Sequence, residues 1–288
     1  MTKGKILSTV GGKYRVFLGD KTLEVKPYGV FRYKKIKPLV GDIVEIDVDK
    51  EVMISIDERM NSLIRPRIAN LDRGVIVQSL VKPDFSSYLL DKFLSLLNYS
   101  NVKPMIVLTK LDLMEDKERL KKIISSYNNL GIDVYPYSKR TGEGLEEIKR
   151  AIEGKTIAFM GQTGAGKSSL INLIDPSFDR EIGKYNENVN RGTHQTKEVI
   201  FLPYEYGFIA DTPGFSSLEL PMYKEELSEV FPGYNRFIGK CKFNDCLHIT
   251  EGGCKIKEAV EQGVLSKENY DNYVEISKEI ISRKDRIF

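Results

Sequence analysis

Two groups of residues in this chain have the types and the spacing that chemistry demands. The first is Gly161, Gln162, Thr163, Gly164, Ala165, Gly166, Lys167, Ser168 and Ser169, which satisfies G-x-x-x-x-G-K-[ST] over residues 161–168. Glycines let successive backbone N–H groups close on an anion with no Cβ in the way. The lysine carries charge to the outer phosphates, and the Ser168 hydroxyl is a ligand for Mg²⁺. A β-branched and aromatic run at 156–160 precedes the turn, and Leu170, Ile171, Leu173 and Ile174 follow at helical spacing. That strand–turn–helix context marks a phosphate-binding loop. The second group is Cys241-x₄-Cys246-x-His248-x₅-Cys254, four soft or borderline ligands suited to tetrahedral Zn²⁺ in a closed structural site, one ion per chain. Its spacing differs from common zinc fingers, and buried thiols without metal are the alternative. The group nevertheless gathers all 3 cysteines and one of the 2 histidines.

Two stretches upstream of the phosphate loop could read a base. Thr109, Lys110, Leu111 and Asp112 follow an apolar run at 104–108. A carboxylate there accepts two hydrogen bonds from guanine N1–H and N2–H, which adenine cannot offer, while the lysine stem lies along the base. Ser138 and Lys139 open a second loop, ending at Gly142, where a backbone N–H can meet guanine O6. Downstream, residues 180–196 are polar and aperiodic and end in RGTHQT. Thr196 can ligate Mg²⁺, and Asp211 and Gly214 of the DTPG that follows can reach the Mg²⁺ shell and the γ-phosphate. Phe215, which follows DTPG, is apolar and cannot orient a water. His194 is therefore the candidate to orient or deprotonate the attacking water, contact with RNA or solvent being the alternative.

Elements must hold these loops in place. Residues 5–10, 14–18, 22–27, 42–48 and 52–56 read as five short strands with glycine turns between the first three, which predicts a small closed barrel such as an OB-fold. Residues 58–67 read as a connector, with Pro66 breaking any helix. From residue 69 strands alternate with helices, which predicts a mostly parallel, doubly wound sheet with ligands beyond the carboxyl ends of its strands. Residues 255–288 read as two helices with charged faces. With 41% apolar residues the chain can bury a sizeable core.

The net charge is +3, yet residues 1–40 hold ten Lys and Arg against Asp20 and Glu24. A polyanionic partner or a solvated lysine-rich face follows from that. Residues 28–37 interleave aromatics with Arg32, Lys34 and Lys35, the candidate RNA contacts, although Tyr28, Phe31 and Tyr33 can equally pack the barrel end. No apolar run reaches membrane-spanning length, no signal-peptide pattern is present, and the cysteines cannot all pair. A cytoplasmic protein with no membrane partner is expected.

The order of the motifs is the most specific feature. Ordinary GTP-binding domains run from phosphate loop through DxxG to (N/T)KxD and the serine loop, whereas here TKLD and the serine loop come first. With a barrel before and a Cys-Cys-His-Cys module after, the chain closely resembles the ribosome small subunit-dependent GTPase A family (RsgA/YjeQ/YloQ) of circularly permuted GTPases. The resemblance covers essentially the whole chain. It implies a multidomain α/β protein: an OB-fold-like RNA-binding barrel at 1–62, a permuted GTPase domain at 63–220 and a zinc-binding helical module at 221–288. It further implies GTP hydrolysis to GDP and phosphate with Mg²⁺, stimulated by the small ribosomal subunit (30S) during late maturation. Its rRNA would be the partner, and a monomer the expected state. The rival reading is a GTP-switched rRNA-binding module in which hydrolysis is incidental. A small-molecule kinase on the same loop would leave TKLD and DTPG unexplained.

Overall fold

Alternating apolar residues build the N-terminal barrel of this computed structural model, which describes residues 1–29, 31, 37–178, 199–211 and 218–284. Strands β1 (Thr2–Val10), β2 (Lys13–Phe17), β3 (Thr22–Pro27), β4 (Ile43–Asp47) and β5 (Val52–Ile56) close in the order β1-β2-β3-β5-β4. β1 pairs antiparallel with β2 and β4, and β3 pairs parallel with β5. The period of two turns Ile6, Val16, Val25, Val44, Ile46 and Met53 inward, all fully buried. This is the OB type of barrel. Bulges at Ile6/Ser8 and Glu45/Ile46 bend the strands enough to close it. Within the segment expected as a connector lies β6 (Ser62–Leu63), which pairs with β7 (Ile68–Ala69) just beyond it. Two residues a side are too few to show a period, which is why the sequence reads there as loop. Gly41, at φ +95°, lets the chain cross this hairpin: a Cβ would lie 2.0 Å from the Ala69 carbonyl oxygen.

A six-stranded mixed sheet follows, in the order β10-β9-β8-β11-β13-β12. Its strands are β8 (Arg73–Ser79), β9 (Lys103–Thr109), β10 (Asp133–Pro136), β11 (Thr156–Gly161), β12 (Ile200–Tyr204) and β13 (Gly207–Asp211). β10 runs parallel to β9 and β11 parallel to β13, while β12 turns back antiparallel on β13. β11 is buried along its whole length, the signature of a strand covered on both faces. The connecting helices are α1 (Ser87–Tyr99), α2 (Lys117–Asn128), α3 (Leu145–Ile152) and α4 (Lys167–Ile174). Ser86 and Asp116 cap α1 and α2 through their side-chain oxygens.

The chain divides into two compact units, one of Met1–Val75, Glu143–Met160 and Gly166–Gly214, the other of Ile76–Gly142, Gly161–Ala165 and Phe215–Phe288. In the first, the barrel is anchored by Lys5, whose Nζ donates to Thr156 Oγ1 at 2.7 Å and sits 4.8 Å from the Phe208 ring centroid. Phe17 meets Phe208 edge-on at 5.6 Å. Burial lowers the Lys5 pKa, so the ammonium is held by an oxygen and an aromatic face in place of water. In the second unit, α5 (Lys224–Val230), α6 (Lys255–Glu261) and α7 (Lys267–Lys284) complete the chain. α7 lies on α1 through a polar seam. Glu279 accepts from Lys92 Nζ at 2.8 Å and from the Tyr88 hydroxyl at 2.7 Å, and buried Asp91 accepts from Asn272 Nδ2 at 2.7 Å. Phe231, Tyr234 and Tyr273 form an aromatic cluster with centroids 4.9 to 5.1 Å apart. Tyr234 also meets the His248 ring at 5.6 Å, which ties the cysteine-rich loop to the helices.

Candidate nucleotide and metal sites

The phosphate loop owes its shape to close backbone approach. β11 ends at Gly161, where a Cβ would lie 2.1 Å from the Val77 carbonyl oxygen, so only glycine fits between the strands. Gly164 and Gly166 take φ of +80° and +93°, and Gly166 caps α4. Lys167 opens that helix with only 8% of its surface exposed. Ser168 is exposed in the same first turn and Ser169 is half-buried. The Gln162 carbonyl accepts from Ala165 N at 3.2 Å, and Thr163 lies exposed at the rim. The loop's N–H groups and the start of α4 offer an anion a partial positive field.

TKLD grips this loop. Thr109 donates from Oγ1 to the Ala165 carbonyl at 2.5 Å, and Lys110 Nζ donates to the Gly164 carbonyl at 3.0 Å and to the Lys82 carbonyl. Lys110 adopts left-handed φ of 60°, which turns the chain into a short 3₁₀ segment, Leu111–Leu113. Leu111 N then donates to the Tyr137 carbonyl, bringing the two candidate base-reading loops side by side. Asp112 Oδ1 accepts from Ser138 Oγ at 2.7 Å, and Arg140 Nε lies 3.4 Å from Oδ2. The Ser138 hydroxyl first, and Arg140 after it, hold the Asp112 carboxyl below the usual carboxylate range. An ionised carboxylate is what two N–H donors of a base edge require. Lys139 is exposed, consistent with a contact made by its backbone alone.

The cysteine-rich loop gathers Cys241, Cys246, His248 and Cys254 so that their ligand atoms all lie within 4.8 Å of one another, an arrangement that can hold a metal ion. His248 Nδ1 stands 3.6 Å from Cys241 Sγ and 3.4 Å from Cys254 Sγ. His248 reaches this position through left-handed backbone at φ 62°. Glu251 accepts from the backbone N–H groups of Leu247, Ile249 and Thr250, which fixes the turn around it. Burial pushes the Cys246 thiol up to about 12, pushes Cys254 up and lowers His248. Without a cation these groups stay neutral, so a metal would have to displace protons on binding.

The structure thus brings Thr109, Lys110, Asp112, Ser138, Gly164 and Ala165 together, and separately the four metal ligands. Asp211 ends β13. His194, Thr196, Gly214, Arg32, Lys34 and Lys35 lie outside the described residues. Sequence reasoning missed the Lys82 carbonyl and assigned Arg140 no part. A main-chain oxygen on a left-handed lysine (φ 53°) leaves no trace in residue type.

TKLD after β9, the serine loop after β10 and only then a phosphate loop after β11, in this chain order, define a circularly permuted P-loop GTPase. The RsgA GTPase family model matches residues 56–221 and the RsgA N-terminal domain model residues 3–54; the chain belongs to the RsgA family of GTPases. The small ribosomal subunit biogenesis GTPase RsgA of Bacillus subtilis (strain 168) is 42% identical over 297 residues, covering 99% of this chain and 100% of the relative. The protein of that name from Geobacillus sp. (strain WCH70) is 41% identical over 292 residues, with 99% and 100% covered. The crystal structure of YloQ, a circularly permuted GTPase, matches with TM-score 0.82 at 39% identity, over 98% of this chain and 96% of that one. YjeQ from Thermotoga maritima gives TM-score 0.83 at 30% identity, over 97% and 98%.

Proposed function

We propose that this GTPase is stimulated by the small ribosomal subunit and acts in late 30S maturation. The observation that carries this reading is the bond between Asp112 and Ser138 beside Lys110, which itself holds Gly164 of the phosphate loop, in a chain 42% identical to a small ribosomal subunit biogenesis GTPase. Asp112 selects guanine through its ionised carboxylate, with Thr109, Leu111, Ser138 and Lys139 shaping the base pocket. Lys167 and the amides of residues 164–169 hold the phosphates. Ser168, an exposed hydroxyl at the start of α4, fits the oxygen preference of Mg²⁺; Thr196 completes that set and Asp211 stands behind it. Bound Mg²⁺ would neutralise phosphate charge. Gly214 senses the γ-phosphate, and His194 orients the attacking water when the subunit docks.

Zn²⁺ is the ion assigned to the cysteine cluster, one per chain. Zinc bonds of about 2.3 Å to sulfur and about 2.05 Å to nitrogen make sulfur–nitrogen edges of about 3.5 Å in a tetrahedron. The edges of 3.6 and 3.4 Å match that figure. The functional division follows residues 1–62, 63–220 and 221–288. The barrel, through Arg32, Lys34 and Lys35, and the zinc module grip rRNA. The protein works as a cytoplasmic monomer; no helix among the described residues is long and apolar enough to cross a membrane.

The test is GTP turnover with and without purified small subunits. Strong stimulation is expected. His194→Ala should abolish it while sparing GTP affinity and subunit binding, and full stimulation in that variant would leave the catalytic group to the ribosome. Absence of stimulation in the unaltered protein would replace the catalytic cycle with a GTP-switched RNA-binding module.

A further inference from the structure

Gln78 has no part in the roles assigned above, yet it is only 2% exposed at the end of β8. Its Nε2 donates to the Ser86 carbonyl at 2.7 Å, and Ser86 is the cap of α1. Its Oε1 is buried and has no hydrogen-bond partner among the described residues, so the donor end alone makes the contact. That one bond spans the loop of residues 80–85 from inside. At the near end Leu80 N donates to the Thr109 carbonyl at 3.0 Å, and Ser79 Oγ donates to the Val81 carbonyl at 2.7 Å.

Held at both ends, the loop presents one group to Lys110 and one to the phosphate loop. The Lys82 carbonyl accepts from Lys110 Nζ, the ammonium that also reaches the Gly164 carbonyl. Pro83 Cδ lies 3.7 Å from where a Cβ on Gly164 would stand. Two carbonyls from two different loops thus hold one ammonium, and its four-carbon stem is fixed between them. A lysine stem that lies along a base is useful only while it is held; freed, it regains the rotamer entropy that ordering had removed.

We propose that residues 80–85 form a third wall of the guanine pocket, and that Gln78 is a positioning residue for nucleotide binding that acts through Lys110. The inference rests on the guanine-site reading above and adds to it the element that fixes the base-stacking lysine. GTP and GDP share the base, so both feel the wall equally. The γ-phosphate chemistry lies at the other end of the nucleotide and does not.

The test is a titration of the full-length protein with fluorescent GTP and GDP analogues, comparing Gln78→Met, Lys110→Met and the double variant. Methionine keeps the volume and removes the donor. Gln78→Met should raise the Kd of both nucleotides, and KM for GTP, about 5- to 20-fold with kcat unchanged. In the Lys110→Met background the same change should cost less than about 2-fold, because the partner through which it acts is gone. Equal losses in both backgrounds, or no loss at all, would overturn the proposal and assign Gln78 to packing. Lys82→Gly combined with Pro83→Gly loosens the same loop without touching the core and should reproduce the KM effect even where Gln78→Met folds poorly. Unchanged affinity in that variant also overturns it. If the unaltered protein bound no guanine nucleotide, the site reading would fall with the proposal; binding with unaffected variants refutes the wall alone.

Discussion

Replacing Asp91 by asparagine should flatten the pH dependence of stability. Asp91 is fully buried on α1. Its Oδ2 accepts from Asn272 Nδ2 at 2.7 Å and Asn269 Nδ2 at 3.2 Å, both on α7, and its Oδ1 from the Tyr127 hydroxyl at 3.3 Å on α2. Burial pushes its carboxyl up to about 7 against these three bonds, and Glu268 nearby adds to the push. The folded chain therefore binds one proton more than the unfolded chain between about pH 4 and about pH 7. Stability falls as pH rises through that window and levels off above it. From 3.8 to about 7 the whole effect is worth at most about 4 kcal/mol, at 1.36 kcal/mol per pH unit. An asparagine there is neutral at every pH. Its oxygen can face Asn272 and Asn269 while its amide donates to the Tyr127 oxygen. Urea unfolding of both proteins between about pH 5 and pH 8 is the assay. The unaltered protein should lose about 2 kcal/mol or more relative to Asp91→Asn from pH 5 to pH 7. A stability difference that stays constant with pH would refute the reasoning, since every other titrating group is common to both proteins.

Asp112→Asn should weaken GTP binding by about 1–3 kcal/mol, because it removes a charge-assisted acceptor; unchanged affinity and base preference in nucleotide titrations would remove Asp112 from the pocket. Cys246→Ser should lower metal content and loosen the C-terminal module while nucleotide binding survives, and freshly purified, unchelated protein with no zinc by elemental analysis would refute the site. Neutralising Arg32, Lys34 and Lys35 together should weaken small-subunit binding and flatten its salt dependence; an unaltered salt slope would move the contact surface elsewhere, to the C-terminal helices.

Much of the candidate site's geometry was legible because phosphate and base recognition would constrain residue type as well as position. Gly161 has to be glycine where the Val77 carbonyl presses on it, and Asp112, its carboxyl held low by Ser138, is the residue type a guanine edge would call for, so both announce themselves. The barrel strands were legible too, since alternation over five or more residues survives inspection. The β6–β7 hairpin was not, for lack of length. Nor was the seam between α1 and α7. Asp91, Lys92 and Ser95 are polar, yet all three are buried. In sequence they read as the wet face of an amphipathic helix, because the α7 partners of Asp91 and Lys92 lie 178 to 187 residues away in the chain, and spacing cannot report a contact at that range. Gln78 is hidden for a related reason: it acts through a bond to a main-chain carbonyl, which any residue carries.

The Lys5 anchor has a consequence in time. Lys5 and Thr156 are separated by 151 residues, so a nascent chain completes the barrel long before its partner exists. The last barrel strand ends at Ile56, 100 residues before Thr156, so at about 5–20 residues per second the wait is on the order of 5 to 20 s. An apolar residue at that position would spend the interval as an exposed greasy spot on a folded barrel. A lysine spends it hydrated and charged, and gives up its water only when Thr156 and Phe208 arrive.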